Sequence, residues 1–169
     1  ALALDLHLVG AAELVEVVHV ERAEGGLQRV EDGVDRHADG FRLGVTASSF
    51  NSVSLTPPLV VWSLGLKSRT LPSFQKASHY VINVLSDQQM ALCQQFAFGQ
   101  GVRFNGIDYE LGAAGLPILK GALAWFECRN RSQYPEGDHI IFVGEVEHCG
   151  RNDSLPLIYH AGGYDLTPP

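Results

Sequence analysis

The order of apolar and polar residues predicts strands over most of the chain beyond residue 40. Arg42–Ala47 and Leu59–Leu64 are rich in β-branched residues, which favour the pleated surface of a sheet. The pair Pro57–Pro58 between them marks a turn or a sheet edge, because proline cannot donate to a strand ladder. Further strands are predicted at 79–85, 122–129 and 139–149. The last two are joined by YPEGD, a proline and glycine turn signal.

Two short helices are predicted between these strands. Thr70 is expected as the N-cap of a helix over Leu71–Ala77, with Pro72 in its first turn, where a missing N–H costs little. Ser86 and Gln89 have the spacing of a capping box, which predicts that a second helix begins in SDQQMALCQQFA. Helices inserted between strands without regular alternation favour an antiparallel barrel with added helices over a doubly wound sheet.

The first 38 residues differ in composition from the rest of the chain. They contain no aromatic residue and no lysine, serine, threonine, asparagine or proline. Leu8–Val20 fits a helix or a strand, because its mixed valine and glutamate pattern does not decide between the two periods. We therefore treat 1–38 as an atypical N-terminal segment of the same domain, and 39–169 as the main body of the fold.

Composition and charge indicate one globular domain that does not bind nucleic acid. The chain has 169 residues and a hydrophobic fraction of 46%, enough to bury a sizeable core. Its net charge of −7 is concentrated before residue 41, and the remainder is close to neutral, so no basic surface is available for a phosphate backbone. No apolar run approaches the roughly 18 to 20 residues of a membrane span, and no signal peptide is evident. We expect no membrane partner and a cytoplasmic location.

The cysteines Cys93, Cys128 and Cys149 are predicted to be buried small hydrophobic residues. Their number is odd and none forms a C-x-x-C pair, which argues against disulfides and a zinc site. The histidines lack H-E-x-x-H spacing, so no metal site is predicted. The chain also lacks G-x-G-x-x-G after a strand, a P-loop and a G-x-S-x-G elbow. Neither a dinucleotide-binding α/β domain nor a serine hydrolase is therefore indicated.

A cationic, hydroxyl-rich segment precedes the first predicted helix. Lys67, Ser68, Arg69 and Thr70 lie where free N–H groups and the positive end of the helix dipole favour an anion. Phosphate is the natural ligand of such a segment. A solvated loop with a threonine cap is the alternative that this segment alone leaves open.

Three other segments carry groups suited to a flat ligand. TASS at 46–49 ends a predicted strand, where hydroxyls and backbone groups can bond a heteroaromatic ring, although such clusters also form turns. YHAGGY at 159–164 combines two tyrosines with glycines that allow close approach of the backbone, or it forms a surface turn. His139 follows a Gly-Asp turn at the mouth of a strand, where it faces a cleft or is structural.

Together these motifs resemble the flavin reductase family of FMN-binding split barrels, and within it the small reductase components of two-component flavin monooxygenases. The similar segments occur in order from about Gly40 to Tyr164. They are GVTASSFNSVSLTPPLVVWSL, KSRTLPSF, VINVLSDQQ, RFNG, GLPILKGALAWFECR, YPEGDHIIFVGEV and PLIYHAGGY. Residues 1–38 show no match to the helix and first strand with which members usually begin. We hypothesise that this strand is present in a stretch that is diverged or carries a sequence error.

The resemblance implies a mainly β protein with added helices, folded as an antiparallel split β-barrel that forms a homodimer. It also implies an NAD(P)H:flavin oxidoreductase that transfers hydride from NADH or NADPH to FMN or FAD. The reduced flavin is then expected to supply a separate monooxygenase component. A non-catalytic FMN-binding electron carrier or flavin-storage protein is the alternative.

The resemblance further implies roles for individual residues. The flavin-contacting strand end is Thr46, Ala47, Ser48 and Ser49, and the phosphate side is Ser63, Lys67, Ser68, Arg69 and Thr70. Asn83 and Val84 are expected by the ring, with Gln89 nearby. Phe104 matches the aromatic of the family's D-R-F pattern, in which Val102 replaces the aspartate here. The nicotinamide is expected near the catalytic candidate His139 and near Tyr159, Gly162, Gly163 and Tyr164.

Overall fold

The computed structural model describes residues 13–14, 16–21, 35–37, 40–98, 103–160 and 163–165. The strands are β1 (Glu13–Leu14), β2 (Glu16–Glu21), β3 (Asp35–His37), β4 (Gly40–Ala47), β5 (Asn51–Leu55), β6 (Pro58–Gly65), β7 (His79–Val84), β8 (Tyr109–Leu111), β9 (Pro117–Leu119), β10 (Ala124–Glu136), β11 (His139–Arg151), β12 (Ile158–His160) and β13 (Gly163–Asp165). The helices are α1 (Leu71–Lys76) and α2 (Met90–Phe98), and a 3₁₀ turn at Asp87–Gln89 leads into α2. Among the residues described, no helix is long and apolar enough to cross a membrane.

Eight of the described strands form one antiparallel sheet in the order β3-β4-β2-β7-β10-β11-β6-β5. The two longest strands, β10 and β11, pair with each other in the middle of this order. Strand β2 lies between β4 and β7, and β1 pairs with β12, so the described residues of Leu8–Val20 belong to strands and not to a helix. The predicted mainly β, antiparallel architecture with few helices is confirmed.

One aromatic cluster fills the core against this sheet. The strand period of two sends Val60 and Trp62 of β6 and Phe142 of β11 to the same face. The Trp62 ring stacks on Phe142 with 4.7 Å between centroids, and Phe74 of α1 meets Trp62 edge-on at 5.0 Å. Leu43 of β4, near the other end of the strand order, belongs to the same cluster. Strands near both ends of the sheet order therefore pack against the same aromatic cluster.

Strand β7 is buried on both faces, which explains its nearly continuous apolar sequence. Ile82 points into the aromatic core, whereas Val81 and Asn83 face the hairpin of β8 and β9. The Asn83 amide donates to the Pro117 carbonyl at 3.2 Å and accepts from the Leu119 N–H at 2.9 Å. Because Asn83 is 0% exposed, water does not compete for these bonds.

A buried carboxylate holds the turn between β8 and β9 against the same sheet. Glu127 of β10 is 2% exposed and accepts from the N–H groups of Ala113 at 3.2 Å and Ala114 at 3.1 Å. A side chain at Gly112 would collide with this carboxylate, which accounts for the glycine at that position. The hairpin is thus attached to the sheet through Glu127 as well as Asn83.

The structure corrects several predicted strand boundaries. Tyr134–Glu136, predicted as part of the YPEGD loop, continues β10, and Gly137 at φ 59° begins the turn into β11. Strand β5 was not predicted, because its serines and asparagine have the composition of a loop and it lies at the sheet edge. Strands β8 and β9 were missed because three residues each are too few for a period to be recognised.

Predictions for the helix caps and the cysteines have mixed outcomes. Thr70 stands at the N-cap of α1 but makes no capping bond, because its backbone is already helical and its hydroxyl pairs with that of Ser68 at 2.9 Å. The capping box of Ser86 and Gln89 is confirmed. Two cysteines are buried as predicted, but Cys149 is only partly buried.

Replacing Asn83 with alanine is expected to destabilise the protein by about 2 to 4 kcal/mol, because buried backbone groups of β9 lose their partners. Asn152 is the matched control, since its exposed side chain donates to the Ala122 carbonyl at 2.8 Å. Its alanine variant should lose about 1 kcal/mol or less. Urea unfolding measures both changes, and equal losses would contradict the anchoring role of Asn83.

Candidate functional site

A cleft opens where the end of β4 meets β12 and β13. Its volume is about 340 Å³, which lies within the range of small-molecule sites. The lining comes from β4 and the residue after it, from the end of α2, and from the two tyrosine-bearing strands: Thr46, Ala47, Ser48, Ala97, Phe98, Tyr159 and Tyr164. The fold therefore brings the predicted hydroxyl segment and the predicted tyrosines together, although they lie far apart in the sequence.

Helix α2 lies behind the cleft and contacts both of its walls through one residue. The Thr46 hydroxyl donates to the backbone carbonyl of Cys93 at 3.0 Å. The Cys93 sulfur is 3.2 Å from the Tyr164 hydroxyl, a hydrogen bond in which either atom can donate. Cys93 itself is 0% exposed. Both walls of the cleft are therefore hydrogen-bonded to the same buried residue, Cys93.

The tyrosine wall is a pair of rings on adjacent strands. Tyr159 and Tyr164 are direct partners in the antiparallel register of β12 and β13, and their ring centroids are 5.1 Å apart at an interplanar angle of 62°. The hydrogen bond to Cys93, aided by burial, raises the pKa of Tyr164 to about 12. Burial raises the pKa of the Cys93 thiol as well. Near neutral pH the Tyr164 hydroxyl therefore keeps its proton.

Ser49 links the hydroxyl segment to β6. Its Oγ accepts from the Ser63 N–H at 2.9 Å. Since Ser48 lines the cleft and Ser49 is the next residue, Ser63 lies directly beyond the cleft wall. Two segments that the resemblance assigned to the same ligand are thus in contact, but Ser49 and Ser63 are not among the lining residues.

The predicted phosphate segment is an exposed loop that leads from β6 into α1. Lys67 and Arg69 are both exposed. The helix-terminus part of the prediction is wrong, because the N–H groups of Leu71 and Ser73 already bond loop carbonyls at 3.2 and 3.0 Å, and Pro72 has none. What this segment offers an anion is therefore cationic side chains and not free N–H groups at a helix start.

His139 lies at the same end of β6, beside that loop. It is the register partner of Gly65, and the neighbouring Leu66 N–H donates to the Asp138 carbonyl at 2.8 Å. The imidazole Nδ1 is 2.7 Å from Asp138 Oδ1, and this hydrogen bond lowers the pKa of the carboxyl. The imidazole is 48% exposed, which leaves it accessible to a ligand. His139 is on the Lys67 side of the region and is not part of the cleft lining.

Other predicted site residues pack the fold around the cleft and do not line it. Asn83 has the structural bonds described above, and Val84 is 2% exposed in the core. Gln89 completes the capping box and donates to the Lys120 carbonyl at 2.9 Å. Phe104 is 2% exposed and packs edge-on against Phe96 with 5.1 Å between centroids.

Of the two glycines predicted in the C-terminal segment, one is described by the structure. Gly163 begins β13. Gly162 lies outside the described residues.

Three residues around the cleft were not predicted from the sequence as site residues. Ala97 and Phe98 line it from the end of α2, and Phe98 is 78% exposed at the cleft mouth. Cys93 was predicted only as a buried hydrophobic residue. Nothing in the spacing of these residues marks them, because their role arises only when α2 packs between two distant segments.

Residues 31–167 match the family described as Flavin reductase like domain. The chain belongs to this family. The match includes the whole cleft lining and the loop with Lys67, Arg69 and His139. The family predicted from the ordered motifs is therefore confirmed.

Individual relatives of this flavin reductase like domain carry more specific names. The chain is 42% identical over 122 residues to the FMN reductase (NADH) SmoA of Agrobacterium fabrum, covering 72% of this chain and 70% of that protein. It is 36% identical over 130 residues to the reductase component of a flavin-dependent trigonelline monooxygenase of Acinetobacter baylyi, covering 77% of this chain and 42% of that protein. A solved structure of the NADH:FAD oxidoreductase SgcE6 of Streptomyces globisporus, in complex with NAD and FAD fragments, superposes with a TM-score of 0.79 at 28% identity, covering 98% and 92% of the two chains.

The Tyr164 hydroxyl of this flavin reductase like domain is expected to keep its proton until about pH 12. An unperturbed tyrosine titrates near pH 10. Because the folded-state pKa is raised, the stabilisation by this bond is complete below about pH 10 and is lost as the pH rises towards 12. Tyrosinate absorbance of the wild type minus that of Tyr164→Phe measures the titration, and a difference midpoint near 10 would contradict the Cys93 contact.

Proposed function

We propose that this chain is an NAD(P)H:flavin oxidoreductase that transfers hydride from NADH or NADPH to FMN or FAD. The observation that carries the proposal is the cleft in which the hydroxyl segment Thr46–Ser48 faces Tyr159 and Tyr164. The flavin and the nicotinamide supply the redox chemistry, and the protein contributes binding, orientation and electrostatics. Family membership supports this assignment of the cleft.

The chemistry of the cleft fits an uncharged, flat ring system with polar edges. Tyr159 and Tyr164 offer aromatic surface, and Phe98 adds a further aromatic side chain at the mouth. Thr46 and Ser48 offer hydroxyls on the opposite wall. The Tyr164 hydroxyl keeps its proton near pH 7, so this side of the cleft places no tyrosinate charge of that residue against the rings. The residues therefore position two rings against each other, and no side-chain acid or base is required.

The exposed loop next to β6 supports a site for the phosphate of the same ligand. Lys67 and Arg69 carry the charge, and Ser63 and Ser49 connect this loop region to the cleft wall. Arginine and lysine are the common partners of phosphate groups. His139, partly exposed beside Gly65, can orient or shield the nicotinamide from this side.

The names of the relatives favour an enzyme over a flavin carrier. SmoA is named as an FMN reductase that uses NADH, and SgcE6 is an NADH:FAD oxidoreductase with fragments of both nucleotides in its structure. The trigonelline relative is a reductase component of a monooxygenase, although this chain spans less than half of its length. We extend these roles to this chain, including release of reduced flavin to a separate monooxygenase.

The proposal includes a split-barrel homodimer in the cytoplasm. A barrel is supported by the aromatic cluster that strands near both ends of the sheet order share. A second copy is supported by the edge strand β5, where Val53 and Leu55 are 56% and 61% exposed, since apolar edge strands are usually covered. The free thiols of the three cysteines fit a reducing compartment.

Mixing the protein with NADH or NADPH and an excess of free FMN or FAD is expected to deplete the absorbance of the reduced nicotinamide. Omission of flavin is the control and should stop the depletion, because the flavin is the acceptor. No depletion with any of the four combinations, together with quenching of flavin fluorescence by the protein, would overturn the reductase and support the carrier.

Replacing His139 with alanine is expected to lower kcat/KM for the nicotinamide about tenfold, because the ring is no longer held in its near-attack position. The dissociation constant for flavin, measured by fluorescence quenching, should change less than about twofold. His148→Ala is the matched control, since His148 is an exposed histidine on the same strand. Equal effects of the two variants would argue against a role for His139.

A further inference from the structure

The cleft has two walls that belong to different parts of the fold. Thr46 belongs to β4 of the eight-stranded sheet, whereas Tyr164 belongs to the small sheet of β1, β12 and β13. The mutual position of the two walls depends on what joins these sheets beside the cleft. Among the described contacts, Cys93 of α2 bonds both Thr46 and Tyr164.

We propose that Cys93 is a positioning residue of the reductase site, which holds the Tyr164 wall at its working distance from the flavin-facing strand end. The effect of this distance on catalysis rests on the proposed function, whereas the connection between the walls rests on the two hydrogen bonds of Cys93. Cys93 touches neither of the two proposed ligands and acts through Tyr164 and Thr46.

The two links from Cys93 are made by different atoms. The backbone carbonyl receives the Thr46 hydroxyl, and the side-chain sulfur meets the Tyr164 hydroxyl. A substitution at this position therefore removes the link to Tyr164 and leaves the link to Thr46 in place. This separation makes the proposal testable, because one wall should move while the other stays.

Burial shields the Cys93 sulfur from water. Cys93 is 0% exposed in the cluster that includes Phe96, Phe104 and Leu119, so no solvent competes for the Tyr164 hydroxyl on that side. Burial also keeps the thiol protonated, so its role is packing and hydrogen bonding and not nucleophilic attack. Tyr159 packs on Tyr164, so displacement of one ring is transmitted to the other.

The strand segment that carries these tyrosines has another anchor, which lies before β12. Leu157 N–H donates to the Leu85 carbonyl at 3.0 Å, and Pro156 forms a bridge with Ser86. Both contacts precede Tyr159, whereas the contact with Cys93 reaches β13. Loss of the sulfur is therefore expected to loosen the tyrosine wall without detaching the segment.

The test compares Cys93→Ala, Cys93→Ser, Tyr164→Phe and the double variant Cys93→Ala/Tyr164→Phe with the wild type. We expect Cys93→Ala to raise KM for the nicotinamide about five- to tenfold, the effect of losing one hydrogen bond. The dissociation constant for flavin should change less than about twofold, because the Thr46 contact persists. Cys93→Ser should restore most of the wild-type KM, since a hydroxyl can also bond Tyr164.

The double variant and a matched control separate positioning from general damage. Each substitution removes the same hydrogen bond between Cys93 and Tyr164, so the KM of the double variant should equal that of each single variant. Cys128→Ala is the control, because Cys128 is equally buried but lies in the aromatic core. It should lower the unfolding midpoint and leave KM for the nicotinamide unchanged.

Three results would overturn the proposal: additive effects of Cys93→Ala and Tyr164→Phe on KM, an equal rise in KM for Cys128→Ala, or a flavin dissociation constant that rises as much as KM. If the wild type oxidises no nicotinamide, the proposed function fails, and the wild type, Cys93→Ala, Tyr164→Phe and the double variant are compared by urea unfolding. Non-additive free energies of unfolding then support the link through Cys93, and additive ones overturn it.

Discussion

The pairing of β10 with β11 is the constraint on which the other elements depend. The register of these 13-residue strands is continuous from Glu136 and His139 to Ala124 and Arg151, apart from two bulges. Strand β7 pairs with the outer side of β10 and β6 with that of β11, so both halves of the sheet are built on this hairpin. Gly144 of β11 leaves room for Tyr80 of β7, because a Cβ at that glycine would collide with the Tyr80 hydroxyl. The strand end at Thr46 and the loop that follows β6 are positioned through the hairpin of β10 and β11.

Sequence patterns were sufficient where local chemistry and tertiary contacts agree. The β-branched runs became β4, β6, β7, β10 and β11, and the capping box at Ser86 formed as expected because its two partners are three residues apart. The ordered motifs also identified the family. The resemblance assigned Thr46 and Ser48 to the flavin and Tyr159 and Tyr164 to the nicotinamide, and these four residues line one cleft.

The sequence could not reveal features that arise only from packing. Asn83 stays a predicted neighbour of the ring, and the sequence did not reveal that its side chain accepts from the distant Leu119 N–H. The N–H groups at the start of α1 were expected to be free, but the preceding loop already satisfies them. Cys93 became informative only when helix α2 was found between two walls of a cleft. In each case the deciding partner is distant in sequence or belongs to an irregular turn.

The flavin ring is proposed to lie against the β4 end of the cleft, at Thr46 and Ser48, with the tyrosine wall on the side of the nicotinamide. The most direct measurement is a crystal structure of the protein with FMN. We predict electron density for the flavin ring against Thr46 and Ser48, with the phosphate beside Lys67 and Arg69. Flavin bound elsewhere, without contact to Thr46 or Ser48, would contradict the assignment of the site.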